Sequence, residues 1–197
     1  YLRDTEIPKE LAYVMGTCHS LALVPGAKKK ELVGDPIEVA SFQYLNWGMD
    51  YSDKVYSKYT GANMHIKHRF YFSSEKKRMA VVASCYHNNN TTWYALVKGA
   101  PEVIGGLLKS APEDYEKTYK TAARRGYRVI ALAYKELPNT YSDDSIYQTL
   151  ERETIESELN FAGFAMFECP LKDDSHSAIS ILNESAHWVC HFCSSLH

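Results

Sequence analysis

No apolar run in this sequence is long enough to cross a bilayer. The longest nearly unbroken stretch, Phe161 to Phe167, falls far short of the roughly 20 residues that a membrane-spanning helix needs, so no membrane insertion by this chain is expected. Neither sign of charge prevails. Lys+Arg number 22 against Asp+Glu 24, for a net charge of -2, which argues against a general nucleic-acid binder with its strongly basic footprint. Tyr1 to Lys9 lacks the basic, apolar and small-residue zones of a signal peptide. Residue 1 is Tyr rather than Met, and the chain is expected to be a piece of something longer. Repeats and low-complexity tracts are missing too. What is there is an ordinary globular composition, 45% hydrophobic and 23% charged over 197 residues, enough chain to bury a real core.

Cysteine is sparse and odd in number. Five are scattered through the chain (Cys18, Cys85, Cys169, Cys190, Cys193), which points to a reducing compartment rather than a disulfide framework. Cys190 and Cys193 form a C-x-x-C with His187, His191 and His197 around it. That spacing fits a zinc or redox site, or an apolar strand followed by a ragged end. A structural zinc site usually draws four ligands from two separated pairs, and no second cysteine pair exists.

Periodicity predicts a helix over residues 8–23, from Leu11, Val14, Met15 and Leu21. Pro25 to Gly34 reads as a turn or hairpin tip carrying Lys28-Lys29-Lys30. Asp35-Pro36-Ile37-Glu38 reads as a helix start running to about Leu45: Asp35 caps, Pro36 takes the first position, and Glu38 sits where a capping-box carboxylate belongs. The middle of the chain is β-rich, with strands over His65–Phe72, Arg78–Tyr86 and Trp93–Val97, spaced too closely for helical crossovers and so antiparallel. In the first of these, Lys67 and Arg69 face one way and Ile66, His68 and Phe70 the other. His87 to Asn90 reads as a polar hairpin loop. Helices are expected over Pro101–Lys109, Pro112–Arg125 (stopped by Gly126), Asp144–Glu156 and Asp173–Ala186. Strands are expected over Tyr127–Tyr134, Leu159–Phe167 and Trp188–Phe192. The near-continuous apolar run of Leu159–Phe167 suggests burial on both faces. The fold class is α+β: an antiparallel sheet flanked by helices over residues 1–157, then a hinge and a strand-helix-strand piece of a second, parallel architecture over 158–197.

Four places carry candidate chemistry. Lys98 follows an apolar strand, Gly99 permits a tight turn, and Pro101 starts a helix whose free N–H groups favour anions; a lysine there is either an anion ligand or simply solvated. Phe72 ends an aromatic strand just before Lys76, Lys77 and Arg78, an arrangement that stacks a base and steers phosphates, or a core ring beside a solvated charge run. Glu38 is a cap or a ligand. Arg128 lies on a strand after the Gly126 turn.

In order along the chain, Gly34-Asp35-Pro36-Ile37-Glu38-Val39-Ala40, Phe72-Ser73-Ser74 to Lys77-Arg78-Met79, Lys98-Gly99-Ala100-Pro101-Glu102 and Arg128 to Ala133 resemble the nucleotide-binding domain of P-type ATPases. Thr17-Cys18-His19-Ser20-Leu21 and Glu168-Cys169-Pro170-Leu171-Lys172 with Asp174-Ser175 are similar to the fifth subfamily, and the Cys-Pro-Leu-Lys form looks like its A branch, of the endoplasmic reticulum. The resemblance runs from about Leu11 to Val189.

The resemblance implies ATP as ligand. Phe72 matches the aromatic that stacks on adenine, Glu38 the carboxylate at the adenine end, Met79 a pocket wall, and Lys77 and Lys98 the lysines lining the pocket. Gly99 matches the glycine that lets the nucleotide approach, Arg128 the arginine reaching toward the phosphates, and Lys172 the cation at the hinge into the phosphorylation domain. It implies as partners the actuator, phosphorylation and transmembrane domains of a parent at the cytosolic face of a membrane, the endoplasmic reticulum by its branch. Pumps of this branch extract mistargeted transmembrane segments, and a cation cargo has also been entertained. The phosphorylated Asp-Lys-Thr-Gly-Thr motif is absent, Cys193-Ser194-Ser195 stands where the family has Thr-Gly-Asp, and the Gly-Asp-Gly magnesium motif is missing. Mg2+ is therefore expected of the parent only, with neither catalytic residue nor metal site in this chain. The alternative is an interaction domain that keeps the fold without the nucleotide.

Overall fold

The computed structural model describes residues 7–25, 31–58, 60–87, 90–168 and 173–185. They divide into two compact units, one ending at Phe167 and one starting at Glu168. The first contains helix α1 (Lys9–Thr17), a small hairpin of β1 (Ala22–Leu23) and β2 (Leu32–Val33), helix α2 (Pro36–Tyr44), and strands β3 (Trp47–Met49), β4 (Lys54–Ser57), β5 (Asn63–Ser73), β6 (Arg78–His87) and β7 (Asn90–Gly99). Helices α3 (Pro101–Gly105) and α4 (Tyr115–Arg124) follow, then β8 (Arg128–Leu137), two 3-10 stretches (Asn139–Ser142 and Asp144–Gln148), helix α5 (Arg152–Ile155) and β9 (Asn160–Phe167). The second unit contains α6 (Ser175–Glu184).

Strands β3 to β9 form one seven-stranded sheet in sequence order, every neighbouring pair antiparallel. The α+β class expected from the sequence is the one observed. Side chains alternate across the strands, so the sheet buries two layers. Met64, Ile66, Met79, Val81, Ala83, Leu96 and Leu132 join Leu11, Val14 and Phe42 of α1 and α2. On the other face, Ala80, Val82, Ala95, Val97, Ala131 and Ala133 leave room for Ile104, Tyr115, Ile155 and Leu159. The small residues on that face admit an aromatic cluster in which Tyr115 meets Phe161 at 5.0 Å and Phe164 at 4.8 Å between centroids.

Several local expectations are corrected. The first helix stops at Thr17, and Ala22–Leu23 pairs with Leu32–Val33 as a hairpin. Its lysine tip lies outside the described residues, as do the turn at Asn88 and Asn89, Lys172, Cys169, and everything from Ala186 on, including the C-x-x-C and the expected last strand. In β5, a bulge at Lys67 pairs Ile66 with Ala83 and His68 with Val82. Adjacent residues of β6 face opposite ways, so Ile66 shares a face with Arg69, and His68 goes with Phe70 across the sheet. Helix α3 is five residues, and residues 144–156 break into a 3-10 turn and one turn of α-helix. The strand expected to open the second unit is instead the sheet's edge, antiparallel to β8, and the division falls after Phe167 rather than after residue 157. Being an edge strand, β9 is mostly half-buried, with Met166 45% exposed. Burial on both faces belongs to the central β6 and β7, where Ala80 to Ala83 and Ala95 to Val97 have no exposed surface.

Candidate functional site

Local signals set the frame. Asp35 accepts from the Ile37 N–H at 2.8 Å and caps α2, with Pro36 in the first turn. This aims the start of α2 at the ends of β6, β7 and β8. Between them lies an open cleft of about 540 Å3. Its lining includes Glu38, Phe72, Lys77, Met79, Lys98, Gly99 and Arg128, seven of the eight expected site residues, with Ser20, Asp35, Ile37, Ala100, Val129 and Ile130 beside them. The eighth, Lys172, lies outside the described residues.

Glu38 is not the second half of a capping box. It is nearly buried, and one carboxylate oxygen accepts from both the Ser20 N–H (3.0 Å) and the Ser20 hydroxyl (3.1 Å). The other accepts from Lys98 Nζ at 2.7 Å. Such a charge-assisted, largely buried pair is short and directional. Ser20 is held from behind: Arg69 Nε donates to the His19 carbonyl at 3.2 Å, and its guanidinium grips Asp53 through two bonds of 2.8 Å. That fork holds the Asp53 carboxyl below its ordinary range.

His19 itself is 1% exposed, and burial pushes its pKa down to about 4. Its Nδ1 accepts from the Leu21 N–H at 3.2 Å, which assigns the ring proton to Nε2. Cys18 donates from Sγ to the Met79 carbonyl at 3.6 Å, and burial raises its thiol to about 12, which makes it a packing residue rather than a nucleophile.

The opposite wall is the turn joining β5 to β6. Phe72 presents its ring to the cleft with 62% of its surface exposed. Lys77 adopts a left-handed backbone, φ 48°, and stands 3.9 Å from Glu102 at the start of α3. Gly99 lies directly beneath this turn. A Cβ there would come within 2.6 Å of the Lys77 carbonyl and 2.7 Å of Arg78 Cβ. The glycine is therefore demanded by the meeting of β7 with the turn, which is a different reason from close approach of a ligand. Met79, fully buried and paired in register with Lys98, forms the floor. Arg128 opens β8 on the exposed rim and has no carboxylate partner among the described residues. Lys77, Lys98 and Arg128 against Asp35 and Glu38 make the cleft mildly cationic. Among the described residues no three His, Cys, Asp or Glu side chains gather as a metal site.

Sequence reading missed Ser20 and Glu156. Ser20 sits within a motif that was noted but gave no sign of contacting α2. Glu156, which accepts from Arg78 Nε and Arg152 Nε, carried no local signal at all.

Comparison with known proteins places this arrangement. The family model described as "P-type ATPase, cytoplasmic domain N" matches residues 8–111 and 106–174. The chain is 41% identical over 182 residues to the "Endoplasmic reticulum transmembrane helix translocase" of Saccharomyces cerevisiae, covering 92% of this chain and 14% of that protein. It is 34% identical over 205 residues to the "Probable manganese-transporting ATPase PDR2" of Arabidopsis thaliana (98% of this chain, 16% of the relative). With the translocase of Schizosaccharomyces pombe it shares 38% over 179 residues (88% and 15%). The chain thus spans about a seventh of the length of these relatives. It belongs to the P-type ATPases, as a stretch of their cytoplasmic domain N similar to that of the endoplasmic-reticulum branch of the fifth subfamily.

Proposed function

We propose that this chain binds ATP in the cleft between α2 and the Phe72–Lys77 turn, as the nucleotide-binding module of a transport ATPase. One observation carries the reading: residues from five separated stretches of sequence converge on one cleft that offers an exposed aromatic at one wall and cations along its length. Phe72 stacks the base, Glu38 and Ser20 meet its polar edge, Lys77 and Lys98 line the pocket, and Arg128 reaches toward the phosphates. Affinity is modest, high micromolar to millimolar, or about 4 to 6 kcal/mol, because the cleft is open and Lys98 is already paired with Glu38.

The module binds without turning ATP over. Phosphoryl transfer in this family needs a nucleophilic aspartate and metal carboxylates, and the motifs that supply them are absent from the sequence. Asp35 and Glu38 sit at the adenine end, and Asp173 and Asp174 open α6 without a Thr-Gly-Asp partner. The intact parent would supply the actuator, phosphorylation and transmembrane domains and use Mg2+. It would act at the cytosolic face of the endoplasmic reticulum membrane and couple hydrolysis to extraction of transmembrane segments, as the names of the helix translocases suggest; the relative named for manganese keeps a cation cargo as the second reading.

Backbone amide NMR with ATP tests the site. Shifts should centre on Phe72, Lys77, Lys98 and Arg128 without added magnesium, and phosphate release should stay at background. Shifts elsewhere sink the assignment. No shift at all favours an interaction domain that keeps the fold alone.

A further inference from the structure

Behind the Phe72–Lys77 turn lies a charged cluster whose members do not line the cleft. Glu156, 1% exposed, accepts from Arg78 Nε at 2.5 Å and from Arg152 Nε at 2.7 Å. Each guanidinium then reaches the backbone of the turn. Arg152 donates to the Tyr71 carbonyl at 3.3 Å and to the Arg78 carbonyl at 2.8 Å, and Arg78 donates to the Lys76 carbonyl at 3.3 Å. Tyr71 immediately precedes Phe72, and Lys76 and Arg78 flank Lys77, so every backbone contact falls next to a side chain that faces the cleft. The guanidinium of Arg152 also lies 5.8 Å over the Phe70 ring. At the rim, Lys76 pairs with Glu153 at 3.2 Å.

We propose that Glu156 is a positioning residue for the nucleotide cleft: it holds Arg78 and Arg152 together so that they pin the turn with Phe72 and Lys77 aimed inward. The claim rests on the reading of the cleft as a nucleotide site. The physical reason is charge. One buried carboxylate serves two guanidiniums, and without it two like charges face each other with no counter-ion. The bonds most readily given up are those to the turn carbonyls, which water can replace. Lys77 sits in a left-handed conformation that persists only where its surroundings over-determine it. A turn released from the arginines relaxes there first, and a misaimed stacking ring loses the preorganisation that a ligand site needs. Arg78 and Arg152 come from stretches about seventy residues apart and meet only in the fold.

The test uses the full 197-residue chain as wild type, Glu156→Gln and Arg152→Gln, with amide hydrogen exchange and ATP titration followed by NMR. In the wild type the Lys77 N–H bonds the Ser73 carbonyl and the Lys76 N–H the Ser73 hydroxyl. Both variants should speed exchange at these two amides by about tenfold or more while Val81 and Leu96 stay protected. ATP affinity should fall on the order of fivefold to tenfold, and Phe72→Ala should cost less in the Glu156→Gln background than in the wild type, the coupling expected of groups acting as a unit. Unchanged exchange at Lys76 and Lys77, faster exchange spread equally through β6 and β7, or retained ATP affinity with a loosened turn would each overturn the proposal. Should Glu156→Gln fail to fold, Arg152→Gln decides alone, since it keeps the Arg78–Glu156 pair. Absence of ATP shifts in the wild type overturns the nucleotide reading, and the exchange rates still decide whether Glu156 holds the turn.

Discussion

Lys98 on β7 and Glu38 on α2, 60 residues apart, meet across 2.7 Å at the base of the cleft. The pair ties the helix to the sheet and sets the charge that a ligand encounters. Because both groups are largely buried, removing one strands the other. Lys98→Met should destabilise the fold by roughly 2–4 kcal/mol and Glu38→Gln by somewhat less, since the amide still accepts from Ser20. Chemical denaturation measures both. The double variant should cost less than the sum of the two, and strict additivity would show that the pair does not interact.

Phe72 stands apart from the core. With 62% of its surface exposed, it contributes little to folding, so Phe72→Ala should leave the thermal midpoint within about 2 °C of the wild type. If the ring stacks a base, the same change should weaken ATP binding by roughly 1–3 kcal/mol. Calorimetry with ATP, and with inorganic triphosphate as a ligand lacking the base, separates stacking from phosphate contacts: only the former should respond.

Gly99 is predicted to be intolerant of even one methyl group. The backbone of Lys77 and Arg78 occupies that space and cannot step aside as a flexible side chain would. Gly99→Ala should cost about 1–3 kcal/mol and shift the amide resonances of residues 76–78. A fully stable Gly99→Ala protein with an unmoved turn would contradict the packing described.

His19 makes stability pH-dependent in a defined window. Its pKa falls from the ordinary 6.5 to about 4 on burial, so the unfolded chain binds the proton more readily than the folded one. Stability is therefore highest above pH 6.5 and declines as pH falls toward 4, by about 3 kcal/mol from this group. In His19→Asn, whose side-chain oxygen can replace Nδ1 as acceptor for the Leu21 N–H, that part of the slope should vanish. Denaturant midpoints from pH 4 to 8 provide the comparison. Equal slopes in the two proteins would show that His19 does not carry the dependence.

The sequence by itself determined whatever depends on neighbours along the chain. The Asp35 cap with Pro36 behind it, the turn after Phe72, the helix stop at Gly126 (φ 87°) and the run of antiparallel strands all follow from local backbone chemistry and side-chain period. The motif order was enough to name seven residues that the fold gathers in one cleft. Tertiary structure decided the rest, because it turns on groups distant in sequence. The bulge at Lys67 reverses the faces of half a strand, and a period-2 reading has no means of counting the extra residue. Strand β9 reads as doubly buried by composition, yet no further strand pairs with its outer side in the described sheet. Glu38 looks like a cap until Lys98 and Ser20 arrive from elsewhere to claim its oxygens. Glu156 has no local signature, since the two arginines that give it meaning meet only when α5 closes behind the turn. Local free energies select the elements; the pairing of buried charges, which must be satisfied by whatever the fold brings near, selects how they meet.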